Sequence, residues 1–339
     1  MDTGVSLGQG LDPPSETLYG GHGPKNRQRH AGQVPAGRVF RNVQEASLTA
    51  DAPVHYIASM NRTHSIPEPS RLRQAATRLC NRISYIRFAR ECRTCPASAV
   101  GETSSPQVEE ELNRRMQGYP ENHCYRIVQR HIVPGFTLYE RLRLVAQAYP
   151  EPLHSFLDIG CCRGFYVLDA ARRLGCPRAV GIDVHEPFVA TARDAAAYLS
   201  PGAASFHCAS LEQVSANPRE FGGPFQVVLL IGTYHYLFWG SKLCPTAYYS
   251  HEEIFRRLAS ICTDRLIISG RITIDRLARI KDELQDRQCD VPYTAEAFLE
   301  SAGRFFRVRH MGHLGTYPLF VMSRTAGSAG EKPWASGSL

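Results

Sequence analysis

The feature that most constrains the fold is an apolar segment that passes through a glycine-flanked turn directly into a helix. Residues 153–159 are mostly apolar, and Gly160 and Gly164 follow them. After the second glycine, apolar side chains recur at the spacing of one helix face. Glycine lets the backbone approach a ligand closely, and the free N–H groups of a new helix point into the same space. The pattern therefore predicts a buried strand, a turn and a helix that together bind a nucleotide.

The spacing of these glycines excludes two common nucleotide-binding loops. A dinucleotide fingerprint needs G-x-G-x-x-G, whereas two cysteines and an arginine separate Gly160 from Gly164. A P-loop needs Gly-Lys-Ser/Thr at its second glycine, but Phe165 follows Gly164. The pattern that remains is an acidic residue, Asp158, followed by the two glycines as D-x-G-x-x-x-G.

A second acidic residue, Asp183, ends the next apolar segment at residues 178–183. In a Rossmann-like unit, an acid at this position accepts hydrogen bonds from the ribose hydroxyls. Asp183 follows the glycine turn by roughly 20 residues, the distance that a strand, a helix and a second strand need. The alternative is a cap for the helix that begins near Pro187. We prefer the ribose contact, because both motifs occur at the required separation.

Strand and helix patterns alternate from residue 153 onwards, which is typical of a parallel sheet with helices on both faces. The predicted strands are residues 153–159, 178–183, 203–208, 225–231 and 265–269, followed by a closing pair at 305–310 and 316–322. Ligands of open α/β sheets bind at the carboxyl ends of the strands. One edge should therefore collect the residues that end the first four strands: Asp158, Asp183, Ser210 and residues 233–236.

These motifs resemble those of the class I S-adenosylmethionine-dependent methyltransferases over about residues 153–323. The resemblance implies an α/β fold with a Rossmann-like, seven-stranded, mostly parallel sheet, helices on both faces and a C-terminal antiparallel strand. It implies an enzyme that uses S-adenosyl-L-methionine (SAM) as cofactor and transfers its methyl group. Because the sulfonium is already an activated donor, positioning of the acceptor supplies much of the catalysis, about 7–11 kcal/mol in favourable cases.

The resemblance also implies which residues hold the cofactor. Asp158 would bind the amino group of the methionine part, and Asp183 the ribose. Ser210 stands where the family places a residue that meets the adenine, although a helix N-cap role is equally open. The implied cofactor-binding set is Asp158, Gly160, Cys161, Gly164, Asp183, Val184, Ser210, Leu211, Gly232 and Thr233.

His235 and Tyr234 are the candidate catalytic residues, because they follow the fourth strand beside the implied methyl position. An unperturbed histidine has a pKa of about 6.5, so His235 could act as a general base for a hydroxyl, thiol or protonated amine. Tyr234 could orient the acceptor. A histidine that only bonds the backbone at the strand end is the alternative. The aromatic segment 236–249 forms either an acceptor pocket or a hydrophobic insert.

The remainder of the chain divides by composition. Residues 1–70 are rich in Gly, Pro and Ser and should be flexible. Residues 71–150 should form a helical extension, residues 151–323 the methyltransferase domain, and residues 324–339 a disordered tail. Within the extension, residues 71–93 form an arginine-rich helix that either contacts RNA phosphates or is an ordinary solvated face.

Composition and cysteine spacing set limits on partners. The chain has 339 residues with 39 basic and 32 acidic side chains, a net charge of +7 that is compatible with nucleic-acid contact. Cys92 and Cys95 form one C-x-x-C pair without a matching second pair, so no metal site is predicted. The sequence has no secretory signal and no run of about 18 apolar residues. We therefore expect a cytoplasmic protein without a membrane partner, of unknown oligomeric state.

Three functions follow from these observations. The first is transfer of a methyl group to an O or N atom of a small-molecule acceptor. The second is an RNA methyltransferase in which the basic segment 71–93 binds phosphates; residues 232–235 and 180–183 are similar to the branch that modifies the wobble uridine of tRNA. The third is a catalytically inactive binding protein, because Cys161, Cys162 and Arg163 add bulk to the glycine loop. The first is preferred, and the acceptor itself is not identified.

Overall fold

The computed structural model describes residues 71–94, 105–118, 123–199, 202–244, 246–272 and 292–324. The predicted flexible segment 1–70 and the predicted tail beyond Arg324 lie outside these residues. So does most of a helix that we expect at 272–284. The domain boundaries proposed above therefore stay predictions.

Among the described residues, three helices and a hairpin precede the main sheet. They are α1 (Arg71–Thr94), α2 (Pro106–Met116), β1 (Tyr125–Val128), β2 (His131–Pro134), α3 (Phe136–Val145) and a 3₁₀ turn (Ala146–Ala148). The turn between β1 and β2 has two residues with positive φ, Gln129 at 50° and Arg130 at 60°. Tight hairpins favour Asn-Gly or Gly-rich pairs at such positions, so the sequence carries no hairpin signal here.

A buried carboxylate from α2 stabilises this unusual turn. Glu109 accepts hydrogen bonds from the backbone N–H groups of Gln129 (3.0 Å) and Arg130 (2.7 Å). The hydroxyl of Tyr198 donates to the same carboxylate (2.9 Å). Tyr198 belongs to a helix that packs on the main sheet. Glu109 therefore also connects the hairpin to the rest of the fold.

The main sheet has seven strands: β3 (Phe156–Ile159), β4 (Ala179–Asp183), β5 (Ala204–Cys208), β6 (Phe225–Ile231), β7 (Cys262–Ser269), β8 (Phe306–Leu314) and β9 (Tyr317–Arg324). Their order is β5-β4-β3-β6-β7-β9-β8. The strands from β5 to β7 are parallel, and β9 runs antiparallel to both of its neighbours. This confirms the predicted mostly parallel sheet with an antiparallel C-terminal strand.

Helices cover both faces of the sheet. They are α4 (Phe165–Arg172), α5 (Glu186–Leu199), α6 (Leu211–Ala216), a 3₁₀ turn (Pro218–Phe221), α7 (Tyr234–Trp239), α8 (His251–Ile261) and α9 (Ala295–Gly303). Successive residues of a strand point to opposite faces. Phe156 packs with α3, α4 and α5 on one face, while Leu157 packs with α6, α8 and α9 on the other. All four residues of β3 are buried, as expected for a central strand.

The strand order reverses between β3 and β6. From β3 the chain builds outward through β4 to β5, and it then returns to place β6 on the other side of β3. Loops at the carboxyl ends of β3 and β6 therefore diverge and leave a crevice, the usual ligand site of such sheets.

Candidate functional site

A cleft of about 950 Å³ opens at this reversal point. It is lined by eight of the twelve residues predicted for the site: Gly160, Asp183, Val184, Ser210, Leu211, Gly232, Thr233 and His235. The other four, Asp158, Cys161, Gly164 and Tyr234, do not line it and are treated below. Residues at the ends of four separate strands, β3 to β6, thus meet at one place.

The cleft has two sides with different polar groups. We call the wall at the ends of β3, β4 and β5 the carboxylate side; it contains Gly160, Cys162, Asp183, Val184 and Ser210. We call the wall after β6, β7 and β8 the arginine side; it contains His235, Arg271, Leu314 and Tyr317. Gly232 and Thr233 lie at the junction.

Asp183 is fixed by backbone hydrogen bonds at the end of β4. Its Oδ2 accepts from the N–H of Cys162 and its Oδ1 from the N–H of His185, both at 2.9 Å. Burial raises the pKa of the carboxyl, and these hydrogen bonds oppose that shift. Each oxygen keeps a second lone pair, so the carboxylate is positioned to accept two further donors from a ligand.

Asp158 lies beneath the loop rather than on the wall of the cleft. Its side chain is 3% exposed. Burial raises the pKa of its carboxyl to about 8, with a further contribution from the nearby charge of Asp183. The group therefore holds a proton at neutral pH until a cation approaches it.

The two glycines of the first motif are required by neighbouring protein atoms. Gly160 has a φ of +74°, and an added Cβ would lie 2.3 Å from Thr233 Oγ1. Gly164 has a φ of +84°, and its Cβ would lie 2.6 Å from the ring of Phe206. The sequence argument assigned both positions to close approach of a cofactor. The structure shows instead that packing between strand-end loops already excludes a side chain at both.

Cys162, which the predicted set omitted, lines the cleft in place of Cys161. It has a φ of +51° and donates its N–H to Asp183. Cys161 is buried, and its sulfur packs where a side chain on Gly181 would be. Arg163 is also buried; it stacks over Phe188 at 4.6 Å and donates to Gln117 O. Of the three residues that suggested a blocked glycine loop, Cys161 and Arg163 are thus packed away from the cleft, and Cys162 forms part of its wall.

Ser210 is the N-cap of α6. Its Oγ accepts from Gln213 N (3.3 Å), and its own N–H donates to Gln213 Oε1 (2.8 Å). This reciprocal capping box is the alternative role named above. Ser210 also lines the cleft, so an adenine contact stays a prediction beside the capping role.

Tyr234 belongs to the core. Its ring is fully buried, and its hydroxyl bonds to His251 Nδ1 at 2.6 Å. Phe255 and Phe298 pack against the same ring. The expectation that Tyr234 orients an acceptor has no supporting contact, because α7 turns this side chain inward.

His235 lines the cleft, but its environment differs from the one assumed for a base. The ring is 4% exposed. Burial lowers its pKa to about 3, and the charge of Arg271 contributes. Arg271 Nη1 lies 3.4 Å from His235 Nε2. A guanidinium can only donate, so Nε2 accepts and the neutral ring carries its proton on Nδ1. The pKa of His235 thus differs from the near-neutral value assumed for a general base, and its catalytic role stays a prediction.

Arg271 and Tyr317 complete the arginine side and were missed from sequence. Arg271 Nε donates to the Tyr317 hydroxyl at 3.0 Å, and the guanidinium lies 5.7 Å from the centre of that ring. Arg271 comes two residues after the end of β7, so the rule about strand carboxyl ends would have indicated it. Tyr317 is the first residue of β9, which runs antiparallel to β7. The amino end of β9 therefore lies at the same edge of the sheet as the carboxyl end of β7.

The aromatic segment 236–249, which begins within α7, has residues both at the cleft and in the core. Tyr236 and Tyr248 line the cleft. Phe238 and Trp239 are buried in the core and pack on Tyr293. The buried residues form a hydrophobic insert, and a role of the segment as an acceptor pocket stays a prediction.

Further basic residues lie around the opening. Arg141 and Lys242 line the cleft, and Arg141 Nη1 is 3.3 Å from His123 Nε2. Burial lowers the pKa of His123 to about 4, with contributions from Arg141 and Arg163. His123 is therefore neutral at physiological pH.

The described residues contain neither a metal-ligand cluster nor a membrane-spanning helix. In that part of the chain, no group of three or more His, Cys, Asp or Glu could hold a metal ion. Cys95 lies outside it, and the absence of a metal stays a prediction. No described helix has the length and apolar character needed to cross a bilayer.

Comparisons with known proteins agree with the geometry. Residues 156–247 match the family model described as a methyltransferase domain. No curated protein sequence matches the chain. The matched residues run from β3 to the segment after α7 and include all of the carboxylate side. The match indicates S-adenosylmethionine as the cofactor, as the motifs implied.

Solved structures with a similar fold include three methyltransferases at low identity. The bifunctional kinase-methyltransferase WbdD is 20% identical, over 54% of this chain and 39% of its own, with a TM-score of 0.38. Magnesium protoporphyrin IX methyltransferase from Synechocystis PCC 6803, crystallised with SAH, is 16% identical over 71% and 99%, with a TM-score of 0.38. A putative S-adenosylmethionine-dependent methyltransferase from Listeria monocytogenes is 13% identical over 54% and 97%, with a TM-score of 0.39. This chain thus spans about two fifths of the length of WbdD.

Proposed function

We propose that this chain, which contains a class I S-adenosylmethionine-dependent methyltransferase domain, transfers a methyl group to an O or N atom of a small molecule. The observation that carries the proposal is the single cleft at the reversal of strand order. There a fixed carboxylate on one wall faces an arginine, a histidine and a tyrosine on the other. One wall suits the donor, and the other is free for an acceptor.

The carboxylate side would hold the donor. Asp183 accepts from the ribose hydroxyls with the lone pairs that Cys162 and His185 leave available. Val184, Ser210 and Leu211 would surround the adenine, since they follow the ends of β4 and β5. Bound there, S-adenosylmethionine supplies a methyl group on a positively charged sulfur.

Asp158 would receive the ammonium group of the methionine part. A cation beside this buried carboxyl lowers its pKa from about 8 and favours the ionised form. Gly232 and Thr233 form the floor between the two sides, where the methyl group would lie. The cleft volume of about 950 Å³ leaves room for an acceptor beside the donor.

Enclosure of the cleft favours a small acceptor over RNA. The segment after α7 and the β8–β9 turn both contribute walls, through Leu243, Tyr248, Leu314 and Tyr317. The exposed face of α1 does carry arginines, but Leu79, Ile83 and Ile86 are 58–66% exposed among them. A surface that binds phosphates has no need of exposed aliphatic side chains.

Calorimetry with S-adenosylmethionine tests the donor site, and labelled-methyl transfer tests the reaction. We expect S-adenosylmethionine to bind. We also expect methyl transfer to a metabolite extract at a rate that does not depend on salt concentration. Absence of binding at millimolar cofactor would support the inactive alternative. Transfer to total RNA that weakens steeply with salt would support the RNA alternative.

A further inference from the structure

We propose that the acceptor is a small acid, methylated on an anionic oxygen of a carboxylate or phosphate group that Arg271 holds. This inference rests on the proposed methyl transfer and specifies its substrate class. It depends on three features of the arginine side: how Arg271 is held, which charges line the cleft, and which groups could take up a proton.

Arg271 is held by neutral partners. Its Nε donates to the Tyr317 hydroxyl, and its Nη1 donates to His235 Nε2. Within the described residues, no carboxylate lies in salt-bridge distance of this guanidinium. Nη2 has no acceptor among the same residues. A guanidinium that is oriented by two neutral contacts and keeps a free edge is suited to a planar or tetrahedral oxyanion.

The described residues that line the cleft carry more positive than negative charge. Among the described residues of its lining, Arg141, Lys242 and Arg271 are basic and Asp183 is acidic. Asp183 belongs to the opposite wall, where backbone N–H groups engage it. A sulfonium donor would add a further positive charge. An anionic acceptor would therefore be attracted to the cleft and would offset this charge.

No described residue of the arginine side is suited to remove a proton from an acceptor. His235 uses Nε2 to accept from Arg271, and burial keeps its pKa at about 3. The Tyr317 hydroxyl accepts from the same arginine. A neutral hydroxyl held against Arg271 would therefore find no base in His235 or Tyr317, whereas a carboxylate or phosphate oxygen is already ionised at neutral pH.

The step balances without proton transfer. A lone pair of the anionic oxygen forms the O–CH₃ bond while the S–CH₃ bond breaks, and the electron pair of that bond stays on sulfur. The acceptor loses one negative charge and the donor loses its positive charge. Arg271 would hold one oxygen of the anion and leave a second oxygen to attack, with His235 and Tyr317 as positioning residues.

Labelled-methyl transfer from S-adenosylmethionine tests the proposal when a metabolite extract is first divided on an anion-exchange column. We expect label to enter the retained, anionic fraction and not the flow-through. Absence of transfer to the retained fraction overturns the proposal, whatever the flow-through accepts. Calorimetry with the cofactor alone, in parallel, shows whether the donor site itself is intact, so failure of the acid and failure of the methyltransferase are distinguished.

Two further treatments identify the source of the anion. Carboxyl methyl esters release methanol in mild alkali, whereas phosphate methyl esters resist it. Phosphatase treatment of the extract before the assay removes phosphate monoester acceptors but leaves carboxylates. Label in an N-methyl product, stable to both treatments, would overturn the proposal.

Variants of Arg271 provide the residue-level test. Arg271→Gln should lower kcat/KM for the acid roughly 10- to 100-fold through KM, because a charge-assisted contact is lost. Its cofactor Kd should stay unchanged. Arg271→Lys keeps the charge without the fork and should lie between, which also covers the case that the glutamine variant folds poorly. The control Arg304→Gln alters an arginine that pairs with Glu252 and Glu300 on the surface. Equal kcat/KM in wild type and Arg271→Gln would overturn the assignment.

Discussion

The two sides of the cleft are built in different ways. On the carboxylate side, two backbone N–H groups fix Asp183. One belongs to His185 in the turn after β4, and the other belongs to Cys162 in the turn after the neighbouring strand β3. On the arginine side, three side chains hold one another: Arg271 contacts His235, 36 residues away, and Tyr317, 46 residues away. Local backbone geometry determines the first arrangement, and tertiary packing determines the second.

The two kinds of construction suit two kinds of ligand: an invariant ligand on the carboxylate side and a particular acceptor on the arginine side. Backbone N–H groups persist whatever side chains surround them, so the carboxylate side can serve one invariant ligand. A network of side chains changes with each substitution, so the arginine side can be adapted to one acceptor. We expect changes on the carboxylate side to alter cofactor binding and changes on the arginine side to alter the acceptor KM.

Gly160→Ala should have the largest effect, because Gly160 is where the two sides touch. A positive φ costs an alanine about 1–2 kcal/mol, and the clash with Thr233 should add about 1–3 kcal/mol. Gly232→Ala is the matched control, with the same φ of +74° and no atom within 4 Å of its added Cβ. Urea unfolding measures both. Equal losses of unfolding free energy would show that contact between the two sides is unimportant.

Asp183→Ala should weaken cofactor binding about tenfold or more, since hydrogen bonds to a charged group contribute about 1.5–3 kcal/mol. The loop N–H groups of Cys162 and His185 also lose their acceptor. Asp194→Ala, an exposed carboxylate on α5 that pairs with Arg115, is the control. Calorimetry gives both affinities. An unchanged Kd in Asp183→Ala would remove Asp183 from the donor site.

Tyr234→Phe should reduce the free energy of unfolding by about 1–3 kcal/mol, because His251 Nδ1 loses a buried partner. Turnover and the acceptor KM should stay near wild type in the folded variant. Thermal unfolding and steady-state kinetics check this. A changed acceptor KM at normal stability would restore Tyr234 to the arginine side.

The smallest effects are on the pH dependence of stability, and the two sides should respond in opposite directions. The pKa of Asp158 is raised to about 8, so the folded state retains this proton at neutral pH. The contribution of Asp158 to the free energy of unfolding therefore falls as pH rises from about 4 to 8. The pKa of His235 is lowered to about 3, so its contribution falls as pH drops below about 6.5.

Asp158→Asn should therefore flatten the decline of the urea midpoint between pH 7 and 8. His235→Gln should reduce the fall of the urea midpoint as pH drops from 6.5 to 5. Urea titrations of both variants and the wild type, at matched ionic strength, measure these slopes. A wild-type slope that persists in the Asp158→Asn variant would place a different group in that pH window.

The sequence alone predicted the succession of strands and helices along the chain and most residues of the carboxylate side, because these depend on local signals. Apolar runs indicate strands, helical spacing indicates the crossovers, and acids and glycines at strand ends indicate where a ligand binds. It could not distinguish Cys161 from Cys162 as the cleft residue, since that depends on a positive φ at one non-glycine position.

Tertiary structure alone decided how the residues of the arginine side are arranged. The low pKa of His235 comes from burial and from an arginine distant in the chain, and neither is visible in the segment that follows β6. The inward turn of Tyr234 depends on packing against α8 and α9. The hairpin at Gln129 and Arg130 likewise depends on Glu109 from another element. Interactions between distant segments have no sequence period, so folding had to bring them together before their chemistry could be recognised.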